Sequence, residues 1–437
     1  MAEFGKARRE RSGTLGGQVH ERLRGLLATG ALSPGEKLSL RTIASRLDVS
    51  VQPVREAVSR LVADLLAPAG CEIDLFSVEA GRENCVAVRR GSGGGRSLAL
   101  NGHVDVVPPQ PDAQWRHGGP WSGAVEDGWV WGRGSCDMKG GLIAAVFALR
   151  ALAAAGVELR GDLMLHAVVG EEMMNHELGT TAVLERGYVT DAAVVAEPSP
   201  HGAPLAVCPA TEGILWFTLT MRGKGAHAGM RAESLRDGGE TVGVNAADLS
   251  LCMQTALAQL ERKWLAERTH PLFRPGSFTI HPGVVMAAPD AGPMPFGLAE
   301  EAVLEYIVWY PPGESADEIR AEIEECIGSA ANGRWLTEHP PTVEWRHHWP
   351  PSSIPPDHEL VLAVSEAHRR GHGSLPVVEG LPAVADSYYY GLAGVPALTY
   401  GPGDIALAHA ADERVSIDEV EAVALTLAEL ALDWCGV

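Results

Sequence analysis

The amino-acid sequence predicts an α/β protein with a second, α+β domain inserted into the first and a small all-helical head. From Cys71 onward, strand-like apolar runs alternate with helical patterns, as they do in α/β domains. Between about residues 212 and 329 the order changes to strand, helix, strand, strand, helix. In residues 18–64, apolar side chains recur at three- and four-residue spacing, which is the period of amphipathic helices.

The length and charge of the chain support more than one domain. Its 437 residues exceed the size of an ordinary single domain. Through Asp64 there are 11 Lys and Arg against 7 Asp and Glu, and beyond it 24 against 49, so that +4 is followed by −25. An acidic body disfavours nucleic acid as its partner. A merely soluble or salt-tolerant surface is an alternative explanation of the acidic excess.

The cysteines and apolar runs indicate the compartment. The seven cysteines are scattered and never spaced as C-x-x-C, which predicts reduced thiols. No apolar run has the length of a membrane-spanning helix or the character of a signal peptide. We therefore expect a cytoplasmic protein without membrane association.

The head is predicted to contain three helices over residues 14–64, after a disordered tail at 1–13. The second and third, LRTIASRLD and VQPVREAVSRLVADLL, are separated by a short turn, an arrangement that can present a helix to the DNA major groove. The segment LSPGEKLSLRTIASRLDVS and the following PVREAV resemble GntR-type bacterial repressors. This resemblance implies DNA as a partner, through phosphate contacts from residues such as Arg41 and Arg55.

The resemblance to repressors ends early. A two-stranded wing should follow the third helix, but the sequence continues as LLAPAGCEIDLFSVEAG. We therefore expect a helix-turn-helix remnant whose last helix joins the next domain near residues 61–66. The head either binds DNA or only completes the domain that follows it.

The body is predicted to divide into a first domain of residues 65–211 and 330–437 and an inserted domain of residues 212–329. In the first domain the clearest strands are VAVRR, SLALNGHVDVV, DLMLHAVVG, AAVVAEP and VPALTYGPG, and the clearest helix is GGLIAAVFALRALAAAG. GSGGGR at 91–96 predicts a hairpin turn.

Several predicted strands of the first domain end in side chains that can bind metal. Ligands gather at the carboxyl ends of strands in open α/β sheets. The candidate residues in these positions and in two neighbouring loops are His103, Asp105, Asp137, Glu171, Glu172, Glu197 and His409. Imidazoles and carboxylates without cysteine suit zinc, with cobalt or manganese as alternatives.

The order of these motifs is more specific than any one of them. GHVDVVP, GRGSCDMKGG, GEE, AEP, GKGAHAG and AHAADE follow one another over residues 65–437. This succession resembles the acetylornithine deacetylase and succinyl-diaminopimelate desuccinylase family of dinuclear zinc amidohydrolases, in the aminoacylase and carboxypeptidase superfamily. The resemblance implies a zinc-peptidase-like catalytic domain with a mixed central sheet. It also implies that the insertion is a ferredoxin-like dimerisation or lid domain in a homodimer.

The resemblance also implies a role for each candidate ligand. Asp137 would bridge two metal ions, since one carboxylate has two oxygens. The ligands of one ion would be completed by His103 and Glu197, and those of the other by Glu172 and His409. Glu171 would act as general base toward a metal-activated water, which requires a bent chain at this Glu-Glu pair. Asp105, two residues after His103, would hold the other ring N–H of that histidine.

Further residues are expected near the substrate. By resemblance His227 reaches across, often from the dimer partner, to stabilise the oxyanion, and Asn245 opens the dimerisation helix. Asp386, Gly401 and Gly403 would lie near the ligand. The stretch between His227 and Asn245 is longer than expected, which puts the substrate contacts in doubt more than the metal site. A substrate α-carboxylate would need an arginine, and the sequence does not choose among Arg222, Arg231, Arg236, Arg274 and Arg346.

Three functions remain open from the sequence. The first is a metal-dependent amide hydrolase acting on N-acyl amino acids or related small amides. The second is a DNA-binding transcriptional regulator whose deacylase-like body senses a metabolite. The third is a carboxypeptidase or dipeptidase of the same two-domain plan. The general base Glu171 favours an enzyme, because a pure sensor does not need one.

Overall fold

The computed structural model describes residues 51–237, 242–290, 292 and 294–437. The predicted tail at 1–13 and most of the predicted head, with Arg41, lie outside the described residues. The chain divides into two compact units. Within the described residues, the first is formed by residues 51–210 with Ser353–Leu381 and Ala385–Val437, and the second by Thr211–Ser352 and Pro382–Val384.

The first unit is built on a six-stranded sheet. Its strands, together with those of a small three-stranded sheet, are β1 (Glu72–Ser77), β2 (Glu83–Arg89), β3 (Leu98–His103), β4 (Ala124–Glu126), β5 (Trp129–Trp131), β6 (Leu163–Val168), β7 (Ala192–Val195), β12 (Ala397–Thr399) and β13 (Arg414–Ser416). The large sheet has the order β1-β2-β6-β3-β7-β12, and the small one β13-β5-β4. Strands β6, β3, β7 and β12 run parallel, whereas β1, β2 and β6 pair antiparallel. The predicted mixed central sheet is confirmed.

Helices cover this sheet and make its parallel strands fully buried. They are α1 (Val51–Leu66), α2 (Gly140–Ala154), α3 (Thr180–Glu185), α8 (Glu359–His372), α9 (Ser387–Leu392) and α10 (Ile417–Cys435). Every residue of β3, β6 and β7 is buried, as expected for parallel strands with helices on both faces. Successive residues of β2 face opposite cores: Cys85 belongs to the core of α2 and α10, and Val86 to a smaller one on the other face.

Helix α1 is part of the core of the first unit. Val62 and Leu66, four residues apart on one helical face, are 3% and 0% exposed within that core. The Ser59 hydroxyl donates to the carbonyl of Glu83 at 2.6 Å, and Arg60 pairs with the carboxylate of Glu83 at 2.8 Å. The second half of the last helix predicted for the head is thus the first helix of the first unit.

The second unit contains a four-stranded antiparallel sheet. Its elements are β8 (Gly213–Arg222), α4 (Arg231–Asp237), α5 (Ala246–Glu267), β9 (Ile280–Ala288), β10 (Glu301–Tyr310), α6 (Ala316–Ala330), α7 (Arg334–Glu338) and β11 (Thr342–Trp349). The sheet order is β11-β8-β10-β9. With α5 and α6 as its long helices, the succession is β-α-β-β-α-β, as in ferredoxin-like units.

Two sequence predictions differ from the structure. The insertion was expected to end at residue 329, but the second unit continues to Ser352 because β11 completes its sheet by pairing with β8. Residues 91–96 do not form a hairpin, since β6 lies between β2 and β3. The glycines there allow close approach instead: a Cβ on Gly95 would lie 2.0 Å from the carbonyl oxygen of Cys435.

Candidate metal centre

The carboxyl ends of three neighbouring parallel strands bring most of the predicted ligands together. His103 is the last residue of β3, Glu171 and Glu172 follow β6, and Glu197 follows β7. Strand β3 lies between β6 and β7 in the sheet. Parallel strands end at the same sheet edge, which is where ligands bind in such folds.

Asp137 lies between the two predicted metal-binding histidines. Its Oδ1 is 3.1 Å from His103 Nε2, and its Oδ2 is 3.2 Å from His409 Nε2. His409 Nε2 is also 3.0 Å from Glu172 Oε2. A carboxylate with an imidazole nitrogen on each oxygen has the arrangement needed to bridge two metal ions.

The remaining two glutamates lie on the His103 side. Glu171 Oε2 and Glu197 Oε1 are 3.7 and 3.9 Å from His103 Nε2. The bend required for both Glu171 and Glu172 to face the centre is present: Gly170 has φ +96°, and a Cβ there would meet the carbonyl oxygen of Asn175 at 2.3 Å. Only glycine adopts this conformation at no steric cost.

Asp105 supports the centre in a different way from the one predicted. His103 Nδ1 lies 3.0 Å from the backbone carbonyl oxygen of Asp105, whereas the carboxylate oxygen Oδ1 is 3.9 Å away. The other carboxylate oxygen accepts from the Gly170 N–H at 3.0 Å and from Arg82 at 3.4 Å. The carbonyl therefore orients the imidazole ring, and the carboxylate orients the turn that precedes Glu171.

The centre contains more acidic side chains than basic ones. Burial raises the pKa of Glu197 well above its ordinary value, and the charge of Asp137 adds to this. Burial alone would raise the pKa of Asp137, but hydrogen bonds to His103 and His409 hold it well below its usual range. Hydrogen bonds to Asp137 and Glu172 raise the pKa of His409 to about 10. These carboxylates attract positive charge to the site.

The donor set fits divalent metal ions. His103, Asp137 and Glu172 each place a ligand atom within 4.8 Å of the others. Imidazole nitrogens and carboxylate oxygens are ligands that Zn²⁺ accepts at about 2.0–2.2 Å. Two histidines against the four carboxylates of Asp137, Glu171, Glu172 and Glu197 leave a negative charge that two such ions would balance.

Sequence reasoning missed Glu413, a carboxylate directly behind Asp137. It is 0% exposed and accepts hydrogen bonds from the backbone N–H groups of Cys136 and Asp137 at 3.0 and 3.1 Å. The available signal was its position four residues after His409, within the quoted motif AHAADE.

The residues predicted to contact substrate in the first unit are buried supports in this structure. A Cβ on Gly401 would lie 2.4 Å from the carbonyl oxygen of Ala196, beside Glu197, and one on Gly403 would lie 2.6 Å from Cys136 Sγ. Asp386 is 2% exposed and accepts from the Thr180 hydroxyl at 2.5 Å. Their contact with substrate stays a prediction.

In the second unit, the two predicted functional residues have different local roles. The side chain of His227 is exposed, and its Nδ1 accepts from the Gly229 N–H at 3.0 Å. Asn245 caps helix α5: its Oδ1 accepts from the N–H groups of Ala247 and Ala299 at 3.3 and 3.0 Å. This cap is of the kind that asparagine commonly provides. The predicted roles in catalysis and substrate binding stay predictions.

Several candidate arginines of the second unit already have partners. Arg222 forms an ion pair with Glu301. Arg231 contacts both carboxylate oxygens of Asp248, at 2.7 and 3.0 Å. Arg346 contacts Glu344 and Thr218, and Arg236 donates to the carbonyl of Ala232.

Residues 99–433 match the family model "Peptidase family M20/M25/M40". The chain belongs to this family of hydrolases, whose members act on amides and are metal-dependent, typically with two ions. Residues 15–68 match a second model, "Bacterial regulatory proteins, gntR family". Both resemblances drawn from the sequence are thus confirmed at the level of the family.

Individual relatives and structures show what the chain is similar to. It is 31% identical over 394 residues to the N-formyl-4-amino-5-aminomethyl-2-methylpyrimidine deformylase of Bacillus subtilis, with 87% of this chain and 90% of that one covered. It is 29% identical over 382 residues to the succinyl-diaminopimelate desuccinylase of Alkalilimnicola ehrlichii, with 85% and 92% covered. The Saccharomyces cerevisiae dipeptidase Dug1p shares the fold, with a TM-score of 0.69, 14% identity and 95% and 98% coverage.

These comparisons support the amide hydrolase but not the particular member that the motifs suggested. Deformylases and desuccinylases are both among the relatives. Among the helices of the described residues, none is long and apolar enough to cross a membrane.

Proposed function

We propose that the protein is a dinuclear metal-dependent deacylase that hydrolyses a small N-acyl amide. The acyl group that it removes can be a formyl group. The observation that carries this proposal is Asp137, whose two carboxylate oxygens face two imidazole nitrogens at 3.1 and 3.2 Å. This geometry supports a bridged pair of ions. A single metal site would not need a histidine on each oxygen.

Five residues would hold the ions. Asp137 would bridge them, with His103 and Glu197 on one side and Glu172 and His409 on the other. When bound, divalent ions polarise the amide carbonyl and make water more acidic. The donor set favours zinc, with cobalt or manganese as alternatives.

Glu171 is suited to move the proton. Its carboxylate lies 3.7 Å from His103 Nε2, at the rim of the ligand set. Burial raises the pKa of Glu171 well above its ordinary value, although the charge of His103 opposes this. A general base works best when its pKa lies near the working pH. Glu171 would take a proton from water and pass it to the leaving nitrogen.

The second unit would supply dimer contacts and the oxyanion donor His227. Strand β9 is an edge of its sheet, and after Ile280 all its residues are exposed, including Val284, Val285 and Met286 at 40, 50 and 58%. Exposed apolar edge strands favour pairing with another chain. We therefore propose a homodimer formed through this edge. Sedimentation equilibrium of the wild-type protein and of a variant with a charged residue in place of Val285 checks it.

The substrate class is narrowed by the relatives and by the arginines. The deformylase relative acts, by its name, on a formylated aminomethylpyrimidine, which has no carboxylate. Arg222, Arg231 and Arg346 are paired within the second unit. This pairing supports a substrate without an α-carboxylate more than an N-acyl amino acid. Exposed ion pairs are weak, so substrates of both kinds belong in the test.

The test is hydrolysis of a matched panel by metal-stripped protein titrated with zinc or cobalt. The panel contains N-formyl, N-acetyl and N-succinyl derivatives of an aminomethylpyrimidine and of amino acids. We expect turnover to return near two equivalents of metal, with formamides of the pyrimidine preferred. Metal binding without hydrolysis of any amide would overturn the proposal.

A second function, DNA binding, is favoured by the gntR-family match over residues 15–68. Such a head, with a net charge of +4 up to Asp64, would contact phosphates and lose affinity as salt rises. Selection from a randomised duplex pool with the full-length protein tests it. Enrichment of one sequence supports a regulator, and retention no better than that of an acidic control protein rejects it.

A further inference from the structure

A series of polar contacts, buried at Glu413 and Arg133 and partly exposed at Gln110, connects the two halves of the candidate metal centre through the protein rather than through the ions. It begins at Glu413, which lies between His409 and strand β13. One carboxylate oxygen of Glu413 accepts from the N–H groups of Cys136 and Asp137 at 3.0 and 3.1 Å. Glu413 therefore holds the backbone of the bridging residue, not its carboxylate.

The series of contacts continues through Arg133. The other oxygen of Glu413 is 2.5 Å from Arg133 Nη1. The side chains of the two residues are 0% and 1% exposed. Removing one partner from a buried ion pair leaves an uncompensated charge, which is strongly destabilising. The pair is thus a fixed point behind the loop that carries Asp137.

Gln110 extends the series of contacts to His409. Arg133 Nη2 donates to Gln110 Oε1 at 2.8 Å, and Gln110 Nε2 donates to the backbone carbonyl of His409 at 2.6 Å. His409 has φ +57°, a conformation that strains a non-glycine residue and needs support from its surroundings. Gln110 provides such support.

We propose that Glu413, Arg133 and Gln110 are positioning residues that fix His409 relative to Asp137, and so set the affinity of the metal site formed by His409 and Glu172. This inference rests on the proposed dinuclear centre. None of the three side chains is a proposed metal ligand, so they act through the backbone of Asp137 and His409. Residues that orient metal ligands typically change metal affinity or activity by about 10–100-fold.

Gln110→Ala is the most direct test, because it removes the contact to His409 and leaves the buried Arg133–Glu413 pair in place. Its matched control is Gln114→Ala, an exposed glutamine on the same loop. Cobalt is titrated into metal-stripped full-length protein, and the affinity of each ion is measured by absorbance in competition with a chelator. In Gln110→Ala we expect the ion on the His409 side to bind about 10–100-fold more weakly and the ion on the His103 side to bind unchanged. In the Gln114→Ala control we expect both affinities to be unchanged.

Arg133→Lys tests the buried part of this series of contacts. Lysine keeps the positive charge but lacks the planar fork that reaches two partners at once. We expect it to weaken the same ion, and thermal unfolding of the metal-free protein reports whether the variant is folded. Because Gln110→Ala leaves the buried pair intact, it decides the matter if Arg133→Lys does not fold.

The failures of the two proposals are distinguishable. Wild-type protein that binds fewer than two ions overturns the dinuclear centre itself. Wild-type protein that binds two ions, with both affinities unchanged in Gln110→Ala, overturns the positioning role alone. Equal weakening of both ions in Gln110→Ala would also overturn it, because the effect would then not be specific to the His409 side.

Discussion

The two histidines of the candidate metal centre are held in contrasting ways. His103 ends a fully buried strand, and its side chain is 1% exposed, with Nδ1 at 3.0 Å from a backbone carbonyl oxygen. His409 lies in a loop at φ +57°, and its side chain is 54% exposed. One half of the centre is therefore fixed by the sheet, and the other by a few loop contacts. The same ligand chemistry can rest on supports of very different rigidity.

The largest effect is expected for the residue shared by both halves. Asp137→Ala removes the proposed bridge, so both ions should be lost and kcat/KM should fall by at least ~10⁴, since activation of water depends on them. Metal content by mass spectrometry and turnover check this, with the exposed Asp112→Ala as control. A variant that retains two ions would show that the halves do not share this carboxylate.

Glu171→Gln should separate chemistry from metal binding. Glutamine keeps the shape of the side chain but cannot accept the proton, so turnover should fall by ~10²–10⁴ with both ions retained. The control is Glu177→Gln, at an exposed residue of the same segment. Unchanged turnover would remove Glu171 from the role of general base.

Metal removal should be sequential. Because His409 is half exposed and His103 is buried, we expect a chelator to remove the ion on the His409 side first. His409→Ala should weaken that ion by at least about 10–100-fold and leave the other bound. Cobalt absorbance during dialysis follows both steps. Loss of both ions at a single chelator concentration would contradict the contrast between the halves.

The smallest effect is expected at Asp105. Asp105→Asn keeps the backbone carbonyl that faces His103 Nδ1 and changes only the carboxylate that accepts from Gly170 and Arg82. We expect a loss of about 10-fold in activity, the low end for residues that support metal ligands. Kinetics at saturating metal measure it. A loss as large as that of Glu171→Gln would return Asp105 to the role predicted from the sequence.

The sequence predicted what local patterns can encode. Apolar runs located β3, β6 and β7, and the order of motifs at their ends indicated the candidate ligands that the structure brings together. The hydrogen-bond partner of the His103 ring was harder to predict. Sequence spacing cannot distinguish the side-chain oxygens of Asp105 from its backbone oxygen. Strand β11 was missed because exposed and partly buried residues alternate along it and only Trp349 is fully buried, so that no apolar run marks the strand.

The supporting network could not be predicted for a different reason. Arg133 and Glu413 are 280 positions apart in the chain, and Gln110 and His409 are 299 apart. No local period or spacing connects such residues. Their pairing follows only from the fold, which brings the loop before α2 against the loop before β13.

Helix α1 has a consequence for any attempt to separate the two proposed functions. The gntR-family match ends at residue 68, beyond Val62, Ala63 and Leu66, which belong to the core of the first unit. A truncation at that match boundary would remove apolar side chains from the core, and burial of a single leucine contributes about 1.5–3 kcal/mol. An enzyme freed of its head must therefore begin before Ser59. The repressor-family match and the core of the first unit therefore overlap within helix α1, so the end of the match is not a boundary between separable parts.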